Sequence, residues 1–159
     1  MRFYKQLYKH DPENGVIGDC LRTAWGCLLG LPPEEVPHFT HEAGWNSHDA
    51  GERLDEFLGR FGYGRAKFYY AGECDEVLDT IGVLNPAVWH TFSGTSRNNV
   101  NHVVLARDGK ILHDPSLDGS GIIGPMNNGF YLVEMLVPLE GAVRIQRSDA
   151  GTQFDASRT

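Results

Sequence analysis

Three side chains in this sequence could form a nucleophilic centre: the thiol of Cys20, the imidazole of His102 and the carboxylate of Asp114. A thiolate attacks an acyl carbon once a base has taken its proton, and the base works best when a carboxylate fixes its tautomer. Cys20 begins the stretch Cys-Leu-Arg-Thr-Ala-Trp-Gly-Cys-Leu-Leu, which reads as a short helix over residues 20–29. Asp19 supplies an N-cap residue type, and Gly30 ahead of Pro32-Pro33 supplies a stop. Arg22 and Thr23 are the clearly polar positions within it, so the helix is expected to be central and buried. The positive end of its dipole and its free N–H groups favour a thiolate at position 20. A buried structural thiol is the competing explanation for any cysteine, and Cys27 and Cys74 fit it.

His102 sits in the run Asn101-His-Val-Val-Leu-Ala-Arg, whose continuous apolar core, Val103 to Ala106, predicts a strand covered on both faces. A histidine near the start of such a strand lies at the sheet rim, within reach of a helix end. Asp108-Gly109 is a hairpin turn signal. A two-residue loop there pairs position 107 with 110, 105 with 112 and 103 with 114, which brings Asp114 to the same rim as His102. His113 is the competing histidine, but alternation along the strand points it to the other face. The oxyanion of an acyl intermediate needs N–H donors. The Cys20 amide is one, and Asn14 is the expected side-chain donor, although Asn14-Gly15 also reads as a turn.

The elements that must hold these groups follow from periodicity. Residues 1–19 read as irregular and turn-rich. Residues 32–37 make one helical turn between prolines. An amphipathic helix is expected over residues 47–61 with Ala50, Leu54, Phe57, Leu58 and Phe61 on its apolar stripe. A strand over 65–71 and a helix over 73–82, with Val77, Leu78 and Ile81 inward, come next. Strands are expected at 86–92, 101–107, 110–113 and 130–137, with a polar loop over 93–100. Helices first and an antiparallel sheet second is an α+β pattern. The 159 residues favour a single domain over 1–147 with a small, polar, frayed tail from 148 to 159. The loops at 38–48 and 93–100 are expected to wall the substrate cleft. Trp45 in the first, together with Asp19 and Asn101 beside the reacting residues, are the expected substrate contacts.

A net charge of −7 argues against a nucleic acid held by phosphate contacts. Three cysteines do not make a disulfide framework and fit a reducing, cytoplasmic setting. Residues 1–19 carry charges throughout and lack the apolar stretch of a secretion signal. No apolar run approaches the roughly 18 residues that span a bilayer. The expectation is therefore a cytoplasmic protein without membrane or nucleic-acid partners.

The residues Gly18-Asp19-Cys20, His102-Val103-Val104 and His113-Asp114-Pro115 resemble the papain-like cysteine peptidases in their compact bacterial and phage form. They resemble most the type that processes bacteriocin leaders, and the segment Gly18 to Phe39 is similar to uncharacterised phage and bacterial proteins of that kind. In that type an upstream glutamine precedes the Asp-Cys pair, a position at which Asn14 stands here. The resemblance implies a papain-like fold and a thiol hydrolase acting on amide bonds, usually in peptides, with Cys20 as nucleophile, His102 as base and Asp114 orienting it. No cofactor and no metal ion are expected.

Two other readings compete with the hydrolase reading. His38, His41, His48 and Asp49 are zinc-ligand types, but their stretch is irregular and no Cys-x-x-Cys or His-Glu-x-x-His motif accompanies them. Alternatively, the chain keeps the fold as a non-catalytic binder, such as a phage inhibitor of a host factor, with Phe39, Trp45, Trp89 and Phe92 as its contact surface; core positions for these aromatics are the plainer expectation.

Overall fold

The computed structural model describes residues 1–44 and 46–139. The expected domain end at 147 and the tail 148–159 lie outside the described residues. Over the described residues the architecture is mixed α+β, with four α-helices and a five-stranded antiparallel sheet in the order β1-β5-β2-β3-β4. In chain order the elements are α1 (Cys20–Leu29), α2 (Phe39–Glu42), α3 (Ser47–Gly59), β1 (Tyr63–Tyr70), α4 (Cys74–Leu84), β2 (His90–Thr95), β3 (Asn101–Arg107), β4 (Lys110–His113) and β5 (Tyr131–Pro138). Short 3₁₀ turns occupy Pro12–Asn14 and Pro33–Glu35.

Helix α1 lies where its composition places it. Trp25 is fully buried in a cluster with Phe39, Leu54 and Leu58, while Ala24 and Cys27 pack on Val103 and Leu105 of β3. Burying each such large apolar side chain contributes roughly 1.5–3 kcal/mol. Gly30 ends the helix in the left-handed region (φ 72°), and the N–H groups of Gly30 and Leu31 close on the carbonyls of Cys27 and Gly26. The expected stripe of α3 is buried in the same cluster as Trp25, and Asn46 caps α3 by accepting from the N–H groups of His48 and Asp49. On the other face of the sheet, Val77, Leu78 and Ile81 of α4 pack on Phe92, Val104 and Val133. The sheet is thus covered on both faces, which is why β3 reads as a continuous apolar run.

Two expectations about strands are corrected. The strand placed at 86–92 is found at His90–Thr95. Pro86 has no N–H to give, and Ala87 adopts a left-handed φ of 62° with its N–H on the Asp108 carboxylate at 2.6 Å, so a turn occupies this stretch. The strand instead runs on through Ser93-Gly94-Thr95, where it is flanked by β3 and β5 at Ser93. Gly94 fits there because a Cβ would come within 2.5 Å of the Gly124 carbonyl oxygen. The expected loop 93–100 shrinks accordingly.

The second correction concerns register. Asp108 and Gly109 both take positive φ (52° and 75°), as a tight hairpin requires, and Arg107 pairs with Lys110. After Ala106↔Ile111 a bulge intervenes, and Leu105 pairs with His113 rather than with residue 112. A bulge adds one residue and re-aims the chain beyond it. Here it occurs just before Asp114.

Candidate active site

Cys20 is the first residue of α1 and is partly buried against β3. His102, 5% exposed, enters from near the start of β3. Its Nε2 lies 2.7 Å from Asp114 Oδ1, and the imidazole is also hydrogen-bonded to Cys20. With Nε2 given to the carboxylate, Nδ1 is the nitrogen left to face the thiol. Burial alone would lower the basicity of His102. The hydrogen bonds to Asp114 and Cys20, with the negative charge of Asp114, outweigh it and push the pKa up to about 9.

Asp114 is built to stay ionised. Burial would raise its pKa, but hydrogen bonds from His102, Ser116 and Gly121 prevail and hold the carboxyl well below the usual carboxylate range. The backbone N–H groups of Ser116 and Gly121 each donate to it at 2.8 Å. The loop that supplies them is pinned from outside. Lys5 donates to the carbonyls of Asp114 (2.8 Å) and Ser116 (2.9 Å), and Arg97 donates to those of Gly119 and Ser120. His113 is turned away as expected, with Nε2 2.7 Å from the Tyr4 carbonyl and its ring stacked on Phe3.

A cleft of about 720 Å³ opens over Cys20 and His102. Asn101 is exposed and lines it, in keeping with its expected place beside substrate. Asp19 does not line it. Asp19 is 1% exposed, its carboxylate accepts from the N–H groups of Leu7 (3.2 Å) and Tyr8 (2.8 Å), and it pairs with Arg22 at 2.9 Å. It makes no side-chain cap on α1 and instead ties the N-terminal segment down beside Cys20. Trp45 lies outside the described residues.

Asn14 is not brought to Cys20. It is exposed in the first 3₁₀ turn, its amide donates to Asp11 at 2.7 Å, and it is not among the residues lining the cleft. Its turn chemistry has won over the expected oxyanion role. Gln6 lines the cleft instead, is buried, and uses one amide N–H on the Tyr8 carbonyl at 2.6 Å. An NH₂ group has a second donor to offer. An upstream glutamine was the available signal, and its long separation from Cys20 hid it. Arg65 and Glu134, which also line the cleft, were not anticipated either. A single charge inside the otherwise apolar strand β5 was the trace that Glu134 left.

The other cysteines sit apart from this chemistry. Burial pushes the thiols of Cys27 and Cys74 up, and Cys27 accepts the Tyr4 N–H at 3.2 Å. The zinc-ligand histidine types fall into two places among the described residues. His38 and His41 have ring centroids 5.6 Å apart, and His38 Nε2 meets the Ile17 carbonyl at 3.1 Å, while His48 lies near Asp49 and Glu52 in an exposed trio on α3. Among the described residues, no helix is long and apolar enough to cross a membrane.

The fold and site thus define a mixed α+β protein with a thiol–imidazole–carboxylate chain, its imidazole buried, at one end of an antiparallel sheet. Comparison with family models, with curated protein sequences and with solved structures finds no significant match.

Proposed function

We propose that this protein is a papain-like cysteine hydrolase that cleaves an amide bond in a peptide or protein. The observation that carries the reading is the continuous hydrogen-bonded chain from Cys20 through His102 to Asp114, whose carboxylate is itself held by two backbone N–H groups. A structural cysteine at a helix start needs neither partner. In the proposed reaction His102 takes the Cys20 proton, and Sγ bonds to the substrate carbonyl carbon. The oxyanion that forms accepts from the Cys20 backbone N–H and the second Gln6 amide N–H. His102 gives its proton to the leaving nitrogen as the C–N bond breaks, leaving a thioester on Cys20. A water then attacks that carbonyl, losing its proton to His102, and the acid product and free thiol are released. Asp114 keeps the imidazole oriented throughout and favours its charged form.

The first test is thiol reactivity. With iodoacetamide at neutral pH, Cys20 is expected to alkylate at least about ten times faster than Cys27 or Cys74, read by peptide mass mapping. The rate at Cys20 should fall in a His102→Ala variant. Equal or slower labelling at Cys20, or a rate indifferent to His102, would overturn the reading in favour of a non-catalytic binder. A second measurement addresses the donor that replaces Asn14. Gln6→Ala is expected to reduce kcat by roughly 10²–10³-fold, while Asn14→Ala leaves it within about twofold. The reverse ranking would return the oxyanion role to Asn14.

A further inference from the structure

The cleft continues past the reacting residues. From His102 at the start of β3 it runs under α3 and across β2 to β5 and β1, with Leu21, Leu54, Val103 and Leu132 among its apolar lining and Arg65 and Glu134 at the far side. The two charged residues have no part in the proposed acyl chemistry. Crossing from β3 to β5 spans two strand spacings, roughly 10 Å, and the register sets Glu134 level with Leu105, three residues inward from His102, so the arm is reached by a substrate residue whose long side chain points inward.

The charges there are unevenly satisfied. Arg65 gives Nε and Nη2 to Asp55, Nη2 also to the Gly51 carbonyl at 2.8 Å, and Nη1 to Glu134. Its fork is therefore almost fully used. Glu134 is 2% exposed, and its ion pair with Arg65 runs through Oε1. Asp55 and Lys67, 3.9 Å apart on the solvent side, complete the charged group but do not line the cleft. Arg65 is the direct ion-pair partner of Glu134, with Lys67 acting from further away, and a carboxylate taken out of water is stabilised by a further cation brought against it. The apolar stretch leading to it suits the methylene stem of a basic side chain, whose charged head would then meet the carboxylate.

We propose that this inner arm is a subsite for a lysine or arginine side chain of the peptide substrate, with Glu134 as the anionic group that recognises it. The inference rests on the hydrolase reading and names the substrate class of the same cleft. An acidic side chain would bring like charge against Glu134, and a neutral one would offer it no opposite charge.

The test uses the full chain and a set of short peptidyl vinyl sulfones that differ only at the two acyl-side residues nearest the electrophile. These carry lysine, arginine, norleucine, glutamine or glutamate, and Cys20 adduct formation is followed by intact mass. Lysine or arginine at one of the two positions is expected to label Cys20 roughly ten- to a hundred-fold faster than norleucine or glutamine, with glutamate slowest. Glu134→Gln should reduce that preference to within about threefold, read as the ratio of lysine-probe to norleucine-probe labelling within the variant. Labelling without basic preference in the wild-type chain overturns the subsite but leaves the hydrolase. A glutamate preference overturns it in favour of Arg65 as the recognising group. No Cys20 adduct with any probe overturns the hydrolase reading itself. The wild-type panel decides the question even if the Glu134 variant does not fold.

Discussion

A Cys20→Ala variant is expected to fold as the wild type does and to lose peptide hydrolysis by on the order of 10⁵-fold or more. The size follows from the mechanism. With no sulfur there is no acyl-enzyme, and what remains is binding and oxyanion stabilisation, which act on a water that nothing has activated. The fold should survive because Cys20 lies at a helix start and is only partly buried, while the packing of α1 depends on Ala24, Trp25 and Cys27 behind it. Removing one sulfur from a partly exposed position costs little compared with the roughly 2–5 kcal/mol of truncating a core side chain. The measurement is turnover of a fluorogenic peptide amide matched to the best-labelling probe, with thermal unfolding alongside. Retained turnover with an intact fold would remove Cys20 from the chemistry. The same variant that keeps full biological effect would identify a binder.

Asp114→Asn is expected to lower kcat by about 10²–10⁴-fold and to move the alkaline limb of the rate profile downward. An amide in place of the carboxylate keeps the shape but no longer fixes the imidazole tautomer. It also removes the negative charge that helps push the His102 pKa up to about 9. If catalysis needs the charged imidazole, the wild-type rate falls as pH rises through about 9, and the variant's rate falls at lower pH. Stability gives an independent readout with a definite sign. The folded-state pKa of His102 lies above the roughly 6.5 of an unfolded histidine. Its contribution to stability is therefore complete below about pH 6.5 and lost as pH rises through about 9. The gap in Tm between wild type and Asp114→Asn should accordingly narrow between pH 6 and 10. A gap independent of pH, with an unshifted rate limb, would mean that Asp114 holds its loop and does not act on His102.

The helix that begins at Cys20 was legible because all its signals are local: an Asp before it, a Gly after it and apolar residues round its circumference. The Asp108-Gly109 hairpin was legible for the same reason, and it carried His102 and Asp114 to one rim even though the expected pairing was off by one residue past the bulge. Parity along β4 correctly turned His113 away. The edges of β2 were not legible, since the left-handed turn at Ala87 is stabilised by Asp108 from a distant part of the chain.

Asp19 shows the limit most clearly. Its place before the helix is a local matter, but its carboxylate is claimed by Leu7, Tyr8 and Arg22, so it neither caps the helix nor faces substrate. The choice between Asn14 and Gln6 was decided in the same way, by where the N-terminal segment docks. The sequence by itself determined most of the elements and the two ends of the hydrogen-bonded chain, because periodicity and turn residues act over a few positions. Tertiary structure alone decided the bulge before Asp114, the placement of Gln6 in the cleft and the meeting of Arg65 with Glu134. These join residues far apart in the chain, and local preference says nothing about which distant partner a buried polar group will find.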